Sequence, residues 1–284
     1  MTKIAGVIIV YFPDFNKLIF NIDSYINNIE RLFVVFNSPV KPEDINRLQS
    51  KYSKIQLIFN SENFGIAQVL NKTALQSLNL GYEWLLTMDQ DSYFRDDLFF
   101  TTFLKNDTKN VAIYSPTPVT CSEIKIENSD DTEEVLGVIT SGNLLNLKIW
   151  KKLGGFEEKL FIDEVDNDYC LKAVSNGFKI ISFTNIPLIH ELGRKKEASL
   201  LNKKYIITIH PPVRSYYIFR NNLYVFSKYK NVFPKFVRNR KIMLLKNFVK
   251  ILLFSSERVE NIRYIIRGIR DYFNNSYGPY KEHK

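Results

Sequence analysis

Trp84-Leu85-Leu86-Thr87-Met88-Asp89-Gln90-Asp91 passes in one step from an apolar run to two carboxylates separated by a single residue. Such a run, closed by a polar turn, reads as a strand buried on both faces, as strands of parallel sheets are. Upstream the same signal recurs three times. Residues 4–11 form a β-branched run broken by Pro13, residues 32–36 end at Asn37-Ser38-Pro39, and residues 55–59 end at Asn60. Helical spacing fills the gaps, at 15–29, 42–51 and 64–78. The order βαβαβαβ calls for a parallel sheet with right-handed crossovers. Ligands of such sheets lie beyond the carboxyl ends of the strands, where Asn37, Asn60, Asn63 and Asp89 fall.

The middle of the chain is less regular. Strands are predicted at 111–114 and 135–140, joined by an acidic loop that carries Glu123, Glu127, Asp130, Asp131, Glu133 and Glu134. A short helix at 149–153 closes on Gly154-Gly155, and a helix at 165–176 stops at Gly177. Two short strands follow, at 179–183 and 187–190. Beyond Tyr205 the pattern turns helical, with helices at 236–254 and 257–273 parted by Ser255-Ser256. The expected organisation is one α/β catalytic domain over 1–222 and a basic, amphipathic helical extension over 223–284.

Composition narrows the class. Hydrophobic residues make up 45% of the 284 and charged residues 24%, which suits a folded, water-soluble protein. Cys121 and Cys170 are too few for a disulfide framework or a cysteine-based zinc site, so a reducing cytoplasm is expected. The start lacks the pattern of a signal peptide, and no stretch approaches the roughly 20 apolar residues of a spanning helix. Between Lys228 and Arg270, twelve basic residues face two acidic ones, an excess larger than the +9 of the whole chain. No nucleic-acid motif accompanies them, so nucleic acid is not an expected partner. Interleaved with Phe236, Met243, Leu244, Phe248 and Leu252, they suit a helix lying on anionic lipid, peripheral to the inner face of the cell membrane. A contact with a second copy, as in a homodimer, is the other use open to such helices.

Three clusters carry chemistry. Asp89 and Asp91 emerge at the ligand edge of the sheet and can present oxygens to a hard divalent cation that neutralises a diphosphate. Phe161-Ile162-Asp163-Glu164-Val165-Asp166-Asn167-Asp168 sets four acids at a helix start, where the helix dipole favours negative charge. The apolar frame around them suits a half-buried carboxylate acting as a base. His190 follows a strand and is a metal-ligand candidate. Arg214 and Arg220, among Tyr216, Tyr217 and Phe219, offer guanidinium groups that match phosphate oxygens.

Taken in order, these pieces resemble the inverting family 2 glycosyltransferases of the GT-A fold, in particular the bacterial rhamnosyltransferase-like branch. The resemblance runs over roughly residues 4–222. It is carried by Val7 to Pro13, Val34-Val35-Phe36-Asn37-Ser38, Asn63-Phe64-Gly65-Ile66-Ala67 with Asn71, Met88 to Ser92, and Thr140-Ser141-Gly142-Asn143. It continues through Gly154-Gly155-Phe156, Phe161 to Lys172, His190-Glu191-Leu192-Gly193, and Tyr216-Tyr217 with Arg220-Asn221. It implies a Rossmann-like, mostly parallel sheet flanked by helices and a sugar transfer from a nucleotide diphosphate donor, dTDP- or UDP-linked. The acceptor it implies is a glycan hydroxyl, carried on lipid where the chain works at a membrane.

The resemblance also implies roles. Asp91 with Asp89 and His190 would hold Mg2+ or Mn2+. Val10, Tyr11, Phe12 and Asn37 would frame the base and ribose, with Asn63, Gly65 and Asn71 on the donor side. Tyr217, Arg220 and Asn221 would close over the phosphates, and Gly142, Asn143 and Asp163 would meet the acceptor. Asp166 would be the catalytic base. One position departs from the family pattern. Where an Asp after the second strand usually pairs with the imide N–H of uracil or thymine, this chain has Phe36, whose ring can stack on a pyrimidine but accepts no hydrogen bond. Recognition would then shift to Asn37.

Overall fold

The computed structural model describes residues 2–119, 132–190, 194–200 and 203–282. Cys121, most of the acidic loop, and the residues 191–193 that follow His190 lie outside these. The first four strands are β1 (Ile4–Val10), β2 (Arg31–Phe36), β3 (Ile55–Phe59) and β4 (Trp84–Asp89), all parallel in the order β3-β2-β1-β4. Ile8 pairs with Val34 on one side and Met88 on the other, and all three are buried. Helices α1 (Phe15–Asp23), α2 (Pro42–Lys51) and α3 (Gly65–Asn79) make the crossovers. Asp14 caps α1 by accepting from the Asn16 and Lys17 amides. The helix expected to reach 29 stops at Asp23, and a 3-10 turn at Ile26–Asn28 leads into β2.

Five further strands complete a nine-stranded sheet: β5 (Ser92–Phe94), β6 (Val111–Val119), β7 (Thr132–Glu134), β8 (Asn143–Asn146) and β9 (Lys179–His190). Here the pairing is mixed. β8 runs antiparallel to β4 and β6, β5 and β7 antiparallel to β9, and β9 parallel to β6. Helices α4 (Leu98–Phe103), α5 (Leu147–Lys152) and α6 (Val165–Ser175) belong to this half. Aromatic rings fill much of its core, with Trp84 against Phe103 at 5.0 Å and Tyr114 stacked on Phe183 at 5.4 Å.

Three sequence expectations are corrected. Residues 135–140 are not a strand, because the Ile139 and Thr140 carbonyls accept from the Asn143 amide and the Thr87 hydroxyl instead of a ladder. The two short strands at 179–190 are one, β9, whose pairing with β6 slips between Phe183 and Pro187, where a residue without an N–H is tolerated. Before the helices beyond 205 comes an antiparallel hairpin, β10 (Arg194–Leu200) and β11 (Lys203–Ile209).

The chain packs as two units, one of residues 1–157 with 166–191 and one of 158–165 with 192–284. The 223–284 extension lies wholly in the second, together with 192–222. That unit holds the hairpin and helices α7 (Pro212–Tyr229), α8 (Pro234–Phe254) and α9 (Arg258–Phe273). α9 packs on α7 so closely that a Cβ on Gly268 would meet the Tyr216 carbonyl at 2.5 Å. Tyr216 donates to Asp271 at 2.6 Å, and Ser215 to Asn261 at 2.6 Å. Among the described residues no helix is long and apolar enough to cross a membrane.

Candidate active site

At the end of β4 the chain turns through Gln90 and enters β5 at Ser92. The turn is fixed by the spacer. Gln90 Oε1 accepts from the Tyr11 amide at 2.8 Å, its Nε2 donates to the Tyr11 carbonyl at 3.1 Å, and its own carbonyl accepts from Asn21 at 2.8 Å. Ser92 pairs with His190 across the β5–β9 ladder, which brings the imidazole beside the two acids. Ser92 Oγ lies 2.6 Å from His190 Nδ1, and Asp91 Oδ1 lies 3.5 Å from the same nitrogen. One ligand atom from each of Asp89, Asp91 and His190 falls within 4.8 Å of the others, and all three residues are half-buried. Two carboxylates with an imidazole suit a divalent cation such as Mn2+. The expected metal residues are therefore brought together.

Behind β4, Ser141 Oγ accepts from the Asp89 amide at 3.0 Å, and the Gly142 amide donates to the Thr87 carbonyl at 2.7 Å. Gly142 has φ 82°, and a Cβ there would meet Leu188 and Pro116 at 2.8 Å. Gly142 and the buried Asn143, expected at the acceptor, thus brace the strand that carries the acids. Asn71 holds the Gly154–Phe156 turn, donating to the Phe156 carbonyl at 2.9 Å and accepting from the Phe156 amide at 2.8 Å.

On the other side of β4, Val10 is buried while Tyr11 and Phe12 are 49% and 66% exposed. Phe12 is held at φ 45° with its amide donating to Ser38 Oγ at 2.8 Å. The Phe36 ring is closed to a base. It is 1% exposed, with the Phe15 ring at 6.4 Å and 23° and the Phe59 ring at 5.2 Å and 8°. Asn37 is buried with both ends of its amide engaged, Nδ2 to the Gly65 carbonyl at 3.2 Å and Oδ1 from Asn60 Nδ2 at 2.7 Å. Asn63 Oδ1 accepts from the Gly65 amide at 2.9 Å.

Asp166 stands half-buried in the first turn of α6 and accepts from the Asn167 amide at 2.8 Å. With Thr87, Thr140, Asn143, Phe156, Tyr169 and Cys170 it lines a cavity of about 10 Å³, roughly the room of one water. Burial pushes the Cys170 thiol up to about 12 and raises the Tyr169 phenol as well, so both stay protonated at neutral pH.

In the second unit, Phe161, Asp163 and Glu164 all have left-handed backbones, with φ of 63°, 62° and 64°. α7 holds this loop. Asn221 Nδ2 donates to the carbonyls of Leu160, Ile162 and Asp163 at 2.8, 2.6 and 3.1 Å. The fully buried Arg220 reaches the Tyr216 hydroxyl at 3.0 Å, the Gly278 carbonyl at 2.9 Å, and the Lys159 and Leu160 carbonyls at 3.4 Å. Tyr217 stacks on Phe161 at 5.3 Å and accepts from the Tyr280 amide at 2.7 Å. Asp163 pairs with Arg214 at 3.1 Å, and the buried Glu164 pairs with Arg240. These contacts of Tyr217, Arg220 and Asn221, expected over the phosphates, are with their own unit. Nothing in single-residue spacing signals that task.

No family model matches the chain. A dTDP-rhamnosyl transferase, RfbF of Shigella flexneri, is 26% identical over 278 residues, spanning 91% of this chain and 85% of that protein. Among solved structures, S. aureus TarS (1-349) in complex with UDP-GlcNAc matches with a TM-score of 0.59 at 14% identity, over 96% of this chain and 81% of that one. GalNAc-T7 with UDP, GalNAc and Mn2+ matches with a TM-score of 0.57 at 10% identity, over 67% of this chain and 44% of that one. The last two are likenesses of fold.

Proposed function

We propose that this chain, a GT-A-fold glycosyltransferase of the family 2 type acting on a nucleotide-sugar donor, moves rhamnose from a dTDP- or UDP-linked donor to a hydroxyl of a growing bacterial surface glycan, with inversion. The observation that carries the reading is the convergence of Asp89, Asp91 and His190 at the carboxyl edge of the parallel strands. Asp89, Asp91 and His190 would hold a divalent cation, Mg2+ or Mn2+, whose positive charge would stabilise a leaving diphosphate. Asp166 takes the proton of the acceptor hydroxyl as that oxygen bonds to the anomeric carbon and the bond to the diphosphate breaks. The likeness to a dTDP-rhamnosyl transferase supports rhamnose as the sugar. The basic helices support a lipid-linked acceptor at the cytoplasmic face of the membrane.

The test is nucleoside diphosphate release by purified protein with Mn2+ and a panel of dTDP-, UDP- and GDP-sugars. dTDP-rhamnose should give the fastest release. A galactofuranosyl or other hexosyl donor in its place changes the sugar and leaves the reaction. Asp91→Ala should lower release by about 10²-fold or more, since charge stabilisation of that kind contributes several kcal/mol, and EDTA should act on the wild type in the same way. Full activity in EDTA would remove the metal, and no release from any donor would remove the transferase.

A further inference from the structure

Within the second unit, α7, the last turns of α8 and the start of α9 enclose a cavity of about 60 Å³, the room of roughly four waters. Its polar lining is rich in donors. Arg214 Nη1 lies 3.3 Å from His210 Nδ1, and a guanidinium only donates, so Nδ1 accepts and the ring proton sits on Nε2. Burial first, then the Arg214 charge, lowers the His210 pKa, so the ring is neutral at neutral pH. Arg214 itself is held by Asp163. Ser255 Oγ accepts from the Glu257 amide at 3.1 Å and from Asn261 Nδ2 at 3.2 Å, which leaves its own proton to give. Asn261 is buried and fully engaged, its Oδ1 accepting from Ser215 at 2.6 Å and its Nδ2 also reaching the Glu257 carbonyl at 2.8 Å. Lys250 brings an ammonium, and among the described residues no carboxylate pairs with it.

Three donors, from the segment before α7, from α8 and from the link to α9, thus line one small space, and no acid among the described residues lines it with them. Asn247 and Ser256 can donate or accept. α9 begins just beyond without a side-chain cap, so the positive end of its dipole adds to the same region. A cation is repelled by such a lining, and a planar carboxylate has two oxygens for three donors. We infer that this cavity binds a phosphate group, whose oxygens accept from the Lys250 ammonium, the His210 imidazole N–H and the Ser255 hydroxyl. The apolar part of the lining, Ile218, Ile251 and Phe254, suits a phosphate carried on a lipid better than one carried on a sugar. The site lies wholly in the second unit, while Asp89, Asp91 and His190 belong to the first, and it does not rest on the transferase reading.

The chain has three histidines, His190, His210 and His283, so imidazole NMR signals of the full-length protein can report the site directly. With EDTA present to keep metal away, inorganic phosphate should move the His210 signals, leave those of His190 and His283 in place, and saturate. Lys250→Gln should weaken that binding by about tenfold or more, the usual worth of a charge-assisted hydrogen bond. It should not lower Tm, since no acid loses a partner, and Lys250→Arg should keep most of the affinity. Dioctanoyl phosphatidic acid below its micelle concentration and glucose 1-phosphate separate the two sources of the group. Tighter binding of the lipid is expected from the apolar lining, and equal affinities would support the site with a soluble phosphate as its ligand. His210 signals that stay still with all three probes, or wild-type affinity in Lys250→Gln, overturn the inference and leave the transferase reading where it stands.

Discussion

Around Asp166 the titratable neighbours decide which group can move a proton. Cys170 and Tyr169 line the same cavity, and burial keeps both in their neutral, protonated forms. Thr87 donates its hydroxyl to the Thr140 carbonyl at 2.5 Å. Asp166 is the carboxylate among the described residues that line it. Asp166→Asn keeps the shape and the acceptor oxygen for the Asn167 amide but cannot take a proton. Transfer should fall by about 10²–10⁴-fold, the usual worth of a positioned base, with nucleotide affinity unchanged. Asp163 is the control. Its carboxylate is tied to Arg214, and Asp163→Asn should lower stability by at most about 1 kcal/mol, as partly exposed ion pairs do. If Asp163→Asn stops transfer and Asp166→Asn does not, the base lies three residues earlier than assigned.

The loop before α6 shows what an element can hold against its own preferences. Left-handed backbone at Phe161, Asp163 and Glu164 costs of order 1–3 kcal/mol per residue. It persists because the Asn221 amide answers three carbonyls of the loop, and Arg220 shares the Leu160 carbonyl and reaches that of Lys159 beside it. Asn221→Ala takes that donor from the Ile162 and Asp163 carbonyls and leaves Leu160 with Arg220 alone, and the second unit should lose about 2–4 kcal/mol, seen as a lower Tm. A variant with unchanged Tm and weakened nucleotide binding would return Asn221 to the donor phosphates. The same contrast explains what could be read from the sequence. β1 to β4 and their crossover helices match their apolar runs to within a few residues at most ends, because a strand buried on both faces is declared by its own composition. Asp89 and Asp91 were legible for the same reason, since they close such a run. Residues 135–140 were not, because side chains of β4 and β8 take their carbonyls, and no window of sequence contains those partners. The Asn37–Asn60 pair likewise depends on the register of two strands, and the buried state of Phe36 on rings brought from α1 and β3.

Charge is the property that belongs to the whole chain, and it is concentrated on α8 and α9. One side of α9 packs on α7 through Asn261, Ile265, Gly268 and Asp271, so truncation near Tyr229 would strip a buried face from α7 and test folding rather than attachment. The other side exposes Val259, Arg263, Ile266, Arg270 and Phe273, apolar and basic in alternation at helical spacing. α8 exposes Ile242, Leu245, Val249, Leu252 and Leu253 together with Arg238 and Lys246. An anionic bilayer would take both surfaces, with side chains in the acyl boundary and cations among the headgroups. Each cation near such a surface contributes about 1 kcal/mol, so replacing Arg238, Lys246 and Arg270 together by Glu should weaken binding to phosphatidylserine vesicles by well over 100-fold. Binding of the wild type should also fall as salt rises, because the charge contribution is screened within roughly 8–10 Å. Ile266→Ser with Phe273→Ser should weaken it without changing the salt slope, which separates the apolar share from the charged one. In all of these variants UDP binding should persist, since the substitutions lie outside the unit that holds β1 to β9. Should the wild type ignore anionic vesicles at low salt and sediment as a dimer that Phe273→Ser dissociates, the exposed stripe is a contact between copies and membrane attachment is excluded.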